Sequence, residues 1–288
     1  MSPQRRKPVR LSARAKDVAS PIGLMLLILV AWELLVRLLE VPTFVLPPPS
    51  EIVAEIYTDR AIIFGHLEVT LVVVVSGYVL AAIVGFGLSV TIVYSKSFRR
   101  GVLPLIVASQ TIPVIAIAPI LVIWFGYNIA PRIIITALVA FFPLTVSFVT
   151  GLQALEAEFI NFFRSLNANG FQIFLKLRLP AALPNIFGGL KVATTLAVIG
   201  ATISEWVGAS AGLGHLMFLD TQQINTTRVF ASLVVLGLVG MAFFALVGLV
   251  EKLFMPWVYG RSHLRWLPWR RAAKERLAGA KEARTRAN

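Results

Sequence analysis

Four stretches of this 288-residue chain carry no charged side chain at all: Val69–Ser95, Gly101–Pro131, Ile133–Leu155 and Val229–Val250. Each exceeds the about 20 apolar residues that take a helix across the hydrocarbon core of a bilayer. A weaker run, Val18–Trp32, continues through Glu33 to Arg37, and another from Val192 to Leu219 is broken only by Glu205. The chain is therefore expected to be all-α and polytopic, with six spans at 20–39, 67–94, 102–125, 132–152, 188–209 and 228–254. Buried helices of a soluble protein are the competing reading, and four separate runs of this length argue against it. Only 14% of the residues are charged and 57% are hydrophobic, too few charges to cover a water-soluble globule.

The 27 Lys and Arg against 14 Asp and Glu give a formal charge of +13, which fits either a nucleic-acid binder or a membrane protein with basic cytoplasmic ends. Their positions decide. Six basic residues precede Ser20, three (Lys96, Arg99, Arg100) lie between the second and third spans, four fall in 153–191 and ten from Lys252 onward. If six spans alternate, all of these share one side, and basic residues mark the cytoplasmic side. The opposite loops hold Arg60, Arg132 and Arg228 alone, and 40–66 is acidic, with Glu40, Glu51, Glu55 and Asp59. Both termini are thus expected in the cytoplasm, 1–19 and 255–288 as basic cytoplasmic segments, 40–66 as an external loop, and no nucleic acid as a partner. The basic tail suits contact with anionic lipid. The first run lacks a small-residue cleavage site and is read as a retained span.

Catalysis or metal binding has little to work with. There is no cysteine, so neither a disulfide framework nor a thiolate metal site. His66, His215 and His263 are too scattered for a ligand pair at sequence spacing, and no phosphate-binding Gly-rich loop occurs; Gly188-Gly189-Leu190-Lys191 has neither the spacing nor the Ser/Thr. The chain is expected to bind no cofactor or metal and to be no enzyme.

The longest cytoplasmic loop, 153–187, is the informative one. Leu155, Phe159, Phe162/Phe163 and Leu166 recur at helical spacing, and Asn167-Ala168-Asn169-Gly170 then stops the helix with residues that accept left-handed backbone angles. A second short helix, Phe171 to Leu177, runs into Leu179-Pro180 and Pro184. Such an amphipathic helix–turn–helix either lies in the membrane interface or docks a soluble partner; periodicity alone leaves both open.

Here the residues resemble a known family. Arg164-Ser165-Leu166-Asn167, nine residues, then Leu177-Arg178-Leu179-Pro180 resemble the EAA loop of binding-protein-dependent ABC importer permeases. Leu46-Pro47-Pro48-Pro49-Ser50, Pro113-Val114-Ile115-Ala116-Ile117-Ala118-Pro119 through Gly126, and Glu205-Trp206-Val207-Gly208-Ala209-Ser210-Ala211-Gly212-Leu213-Gly214 extend the likeness over nearly the whole chain. The last two are similar to the nitrate/sulfonate/taurine branch, which includes permeases for pyrimidine-type vitamin precursors. Where the family has Glu-Ala-Ala this chain has Asn161-Phe162-Phe163, and Asn167 stands in place of Gly.

The resemblance implies a type I permease domain over 62–254 in a bacterial inner membrane and a homodimer of six-span subunits. It also implies two separate cytoplasmic ATPases, which use the ATP and Mg, and an external binding protein that delivers a small solute. By this likeness Asn161, Phe162, Phe163, Arg164, Ser165, Leu166, Asn167, Leu179 and Pro180 form the ATPase-docking loop. A secondary transporter or channel is the alternative, but paired midplane acids and an internal repeat are both missing.

Candidates for the translocation pathway are Pro113, Pro119, Thr194, Thr195, Thr202 and Glu205. Prolines 104, 113 and 119 interrupt the third span, as moving helices or as static kinks. Glu205 is the single acid deep in spans two to six, and an acid at that depth faces a pathway, reaches water at a helix end, or makes a structural hydrogen bond. The threonines line the route or bond neighbouring helices. Glu33 and Arg37, four apart with Glu first, are read as a self-satisfying pair.

Overall fold

The computed structural model describes residues 11–259, with side chains from 23 to 258; the basic termini beyond, including His263, lie outside the described residues. Among the described residues the chain is helical throughout. The helices are α1 (Leu11–Leu38), α2 (Pro49–Thr58), α3 (Arg60–Tyr94), α4 (Lys96–Ser109), α5 (Val114–Phe125), α6 (Ile129–Gln153), α7 (Ala157–Ser165), α8 (Gly170–Ile173), α9 (Leu179–Trp206), α10 (Leu213–Gln222), α11 (Thr226–Phe254) and α12 (Pro256–Tyr259).

Among the described residues, four continuous helical stretches are long and apolar enough to cross a membrane: Arg60–Tyr94, Ile129–Gln153, Gly170–Trp206 and Thr226–Phe254. The predicted third span is not one helix. α4 and α5 meet at 99°, and only together do they satisfy the same length and hydropathy test. The break falls at Pro113. Gln110, Thr111 and Ile112 donate to carbonyls three residues back, tightening the end of α4, and Pro113 then sits at the N-cap of α5 in extended geometry. Proline has no N–H to continue the ladder and disfavours helical angles in the residue before it. Pro104 and Pro119 lie inside α4 and α5 without stopping either, so of the three prolines flagged by the sequence one makes the corner.

α6 is the centre of the bundle, packed between α3 and α9. The approach is close because small residues face it on both sides. A β-carbon on Gly77 of α3 would lie 2.5 Å from the Thr136 side chain, and one on Gly200 of α9 would lie 3.0 Å from the Thr136 α-carbon. Small residues at such crossings let helix backbones touch where lipid removes the hydrophobic drive for association. The core threonines satisfy themselves: Thr136 and Thr145 donate to carbonyls four residues back, at 2.8 Å each. Meanwhile the outer faces remain apolar and open, with Leu27, Leu35, Ile83, Leu246, Leu253 and Phe254 more than half exposed. An apolar surface that extensive is compatible with lipid, not with water.

α1 joins the rest at one end. Trp32 packs against Phe230 of α11 with ring centroids 6.0 Å apart. Arg37 Nε donates to Glu33 at 2.6 Å, the pair read from the sequence, and Ser50 completes it. The Ser50 N–H donates to Glu33 Oε2 at 3.0 Å and its hydroxyl to Oε1 at 2.7 Å. One of the free N–H groups in the first turn of α2 is therefore capped by a side chain of α1.

Candidate functional site

Two arrangements stand at opposite ends of α9, about 40 Å apart at 1.5 Å per residue. The first is the segment between α6 and α9. α7 starts at Ala157, after Glu156 in extended conformation, and carries Glu158 in its first turn and Arg164 in its last, each matched to the helix dipole. No residue of α7 is buried. Phe159, Phe162 and Leu166 are 53, 59 and 63% exposed, while Phe163 turns inward and meets the Phe162 ring edge-on. Asn161, Arg164 and Ser165 are exposed as well, the Ser165 hydroxyl closing back on the Phe162 carbonyl at 2.7 Å.

Asn167 adopts a left-handed φ of 58°, ending the helix as its residue type allows, and donates its N–H to the Arg164 carbonyl at 2.9 Å. Asn169 and Gln172 then form a reciprocal capping box that starts α8. The helix predicted from Phe171 instead widens into a π-turn over Phe174–Arg178 and runs on into α9, so Leu179 is partly buried in the core and Pro180 occupies the first turn. A π-turn frees backbone groups locally and is common at functional positions. Arg178 anchors this base: it donates to the Leu152 carbonyl of α6 at 3.3 Å and lies over the Tyr94 ring of α3. The apolar stripe of α7 is thus left uncovered among the described residues.

The second arrangement is a polar centre at the other end, around the 207–214 turn. Three successive backbone N–H groups at the start of α10 are taken up by side chains of other helices. Gly212 N–H lies 3.0 Å from His66 Nδ1, Leu213 N–H donates to Thr70 Oγ1 at 2.7 Å, and Gly214 N–H donates to Glu205 Oε2 at 2.7 Å. The Gly212 carbonyl is also 3.1 Å from Nδ1, but the Gly212 N–H can only donate, so its contact makes Nδ1 the acceptor and places the ring proton on Nε2. Thr70 in turn donates to Glu205 Oε2 at 3.1 Å, and Arg132 of α6 donates to the Ala211 carbonyl at 3.2 Å. Burial, with His66 and Arg132 beside it, holds His215 below the usual histidine range, and its ring stacks on His66 with centroids 6.5 Å apart. The two histidines judged too scattered in sequence are neighbours in space, though no cluster of metal-ligating residues occurs among the described residues.

The far end of α10 is fastened too. Asp220, fully buried, receives Arg228 of α11 through Nε at 2.9 and 3.0 Å, and Arg228 Nη1 also reaches Asp59 at 3.0 Å. Leu213, Leu216, Met217 and Asp220 make one buried stripe along α10.

The six pathway candidates are not brought together. Glu205 is fully buried in the polar centre, and Thr194 is buried with its hydroxyl on the Lys191 carbonyl at 2.7 Å. Thr202 is partly buried and bonds the Val198 carbonyl at 2.9 Å, and Pro113 and Pro119 are exposed on a different segment. Of the three threonines Thr195 alone is exposed, facing a groove of about 400 Å³ between α9 and α11 lined otherwise by apolar residues and glycine, among them Val198, Leu236, Gly240 and Phe244. The sequence did not single out Thr70, and it named His66 only as one of three histidines too scattered for a ligand pair; the acid on α9 alone hinted that donors had to exist.

Residues 77–258 match the family of binding-protein-dependent transport system inner membrane components. The chain belongs to this family. It is an ABC transporter permease of the kind that carries small solutes. The permease is 38% identical over 85% of its length to the formylaminopyrimidine transport permease ThiX of Halalkalibacterium halodurans, covering 98% of that protein. It is 31% identical over 82% of its length to the riboflavin permease RibX of Chloroflexus aurantiacus, covering 89%, and 25% identical over 84% to the taurine permease TauC of Escherichia coli, covering 91%. In fold it matches the inward-facing MetNI methionine ABC transporter, with a TM-score of 0.56, 18% identity, and coverage of 65% of the permease and 93% of the solved chain.

Proposed function

We propose that this permease forms one half of the membrane pathway of an ATP-driven importer, with α7 docking on a separate ATPase. The observation that carries the reading is the uncovered stripe of Phe159 and Phe162 on α7 with Leu166 at its C-cap, in the segment between α6 and α9. The side chosen for α7 is the basic one, so it faces the cytoplasm, both termini lie there, and α10 lies on the external face where a binding protein delivers the solute. Six spans follow if α1 and the bent α4–α5 pair each cross the bacterial inner membrane once. The assembly is two copies of this chain with two ATPases. In place of the family's Glu-Ala-Ala, Asn161-Phe162-Phe163 makes the contact an apolar one, with Arg164, Ser165, Leu166 and Asn167 completing the docking loop and Leu179–Pro180 its hinge into α9. ATP and Mg are bound by the ATPase, not by this chain.

The groove beside Thr195 is the wall of the pathway that a second subunit completes. Its lining has one hydroxyl and no charge, which suits a neutral heteroaromatic solute better than a sulfonate. Relatives named for formylaminopyrimidine and riboflavin point to the same class. Glu205 supports the pathway at its outer end instead of lining it.

The test is co-purification. A nucleotide-binding subunit is expected to accompany the wild-type chain and to be lost when Phe162→Asp or Phe159→Asp is introduced, with the permease still present in the membrane. An unchanged complex would sink the docking assignment.

A further inference from the structure

α10 is a short helix with no side-chain cap of its own: Gly212, the residue before it, offers none, and nothing within the helix reaches back to the first turn. The first N–H groups of a helix have no partners inside it and, when buried, must find them elsewhere. Here they find three, and the three belong to two different long helices. His66 and Thr70 sit one turn apart on α3, and Glu205 sits near the end of α9. Thr70 is the joint between them, since its hydroxyl accepts from Leu213 and donates across to the Glu205 carboxylate. α10 can keep all three bonds only while α3 and α9 hold their present separation. Gly214 is packed to match, with a β-carbon there falling 2.7 Å from the Thr202 carbonyl.

We propose that Thr70, His66 and Glu205 are positioning residues of the transport cycle: they latch α10 across the external mouth when α3 and α9 are together, and parting of those helices releases it. The proposal rests on the permease reading for the direction in which the mouth faces. It gives Glu205 a role at the pathway that needs no contact with solute. Oε2 of Glu205 serves two donors at once, Thr70 of α3 and the Gly214 N–H of α10, while Oε1 is buried without a hydrogen-bond partner among the described residues.

The chain contains no cysteine, so a single introduced one is a unique reporter. Leu216→Cys, on the buried face of α10 at 4% exposure, is placed in the full chain in intact cells and treated with a membrane-impermeant maleimide. Ser210→Cys, exposed in the turn, reports that this face is external, and Leu144→Cys, fully buried in the bundle, reports global loosening. Thr70→Val orphans the Leu213 N–H and is expected to raise labelling of Leu216→Cys about tenfold or more, the size expected for one unpaired buried group. His66→Ala, at a half-buried position, should raise it less, and Thr70→Ser should restore the parent rate. Leu144→Cys should stay unlabelled and Ser210→Cys labelled throughout.

Unchanged protection of Leu216→Cys in both Thr70→Val and His66→Ala would overturn the latch. So would labelling of Leu144→Cys alongside it, or failure of Thr70→Ser to restore protection, since either marks general destabilisation. An unlabelled Ser210→Cys would overturn the external placement. Loss of the ATPase reading leaves these rates untouched, so the two proposals fail separately.

Discussion

The carboxylate of Glu205 rests against the α-carbon of Gly212, in the space where any other residue would carry its β-carbon. Gly212 has φ 128° and ψ 156°, a backbone region open essentially to glycine. Both constraints oppose a side chain at once. Gly212→Ala is expected to lower stability by about 1–3 kcal/mol from backbone strain alone, with the collision added. Gly65→Ala on α3, where a β-carbon meets open space, should cost nothing. Thermal unfolding of the two variants in detergent checks the contrast, and equal melting temperatures would refute it.

Arg228 gathers the C-terminal end of α10, the end of α2 and the start of α11 through Asp220 and Asp59. Asp220 is fully buried, whereas the Asp59 side chain is 23% exposed. Removing one member of a buried pair strands the other charge, at about 3–5 kcal/mol, while a partly exposed pair contributes about 1 kcal/mol or less. Arg228→Gln should therefore sharply reduce the amount of folded permease recovered from membranes, and Asp59→Asn should barely change it.

Much of the segment between α6 and α9 was legible in the sequence because its signals are local. The spacing of Phe159, Phe162 and Leu166 marked a helix with an apolar face, and Asn167 marked its end by a property of one residue, the left-handed φ now seen. The corner of the third span was half legible. Three prolines flagged it, but which one breaks the helix depends on the tightened turn before Pro113. The polar centre was not legible: Thr70 and Glu205 stand 135 residues apart, and no periodicity records which helix supplies a donor to a buried acid. The likeness to permeases identified the segment around Glu205, and packing alone explains what the acid does there.

Lys191 of α9 and Glu251 of α11 form an ion pair near the end of the bundle that carries α7, with the Glu251 side chain 9% exposed. Replacing a buried pair by apolar residues of similar size is often neutral, whereas breaking it is costly. Lys191→Met strands the nearly buried Glu251 and should destabilise by about 3–5 kcal/mol. Glu251→Leu leaves Lys191, 24% exposed, able to reach water and should cost about 1 kcal/mol or less, and the double variant should recover most of the larger loss. A double variant as unstable as the sum of the singles would show that the pair makes no coupled contribution.

His215 favours its neutral form in the folded permease, through burial first and the neighbouring His66 and Arg132 second. A histidine depressed in the folded state contributes stability above its unfolded value, near 6.5, and loses it as pH falls below. Unfolding temperatures at pH 7.5 and 5.5 should therefore drop further for the wild type than for His215→Gln. A larger drop in the variant would reverse the assigned sign.

The central claim, import driven by a separate ATPase, is tested most directly by uptake into proteoliposomes. These would hold this chain with its co-purified nucleotide-binding subunit, external binding protein, and radiolabelled formylaminopyrimidine or riboflavin as the probe. Accumulation that requires ATP at the α7 face, survives ionophores that collapse ion gradients, and is abolished by Phe162→Asp is the predicted result. Accumulation that proceeds without ATP and stops when the gradients are collapsed would contradict it.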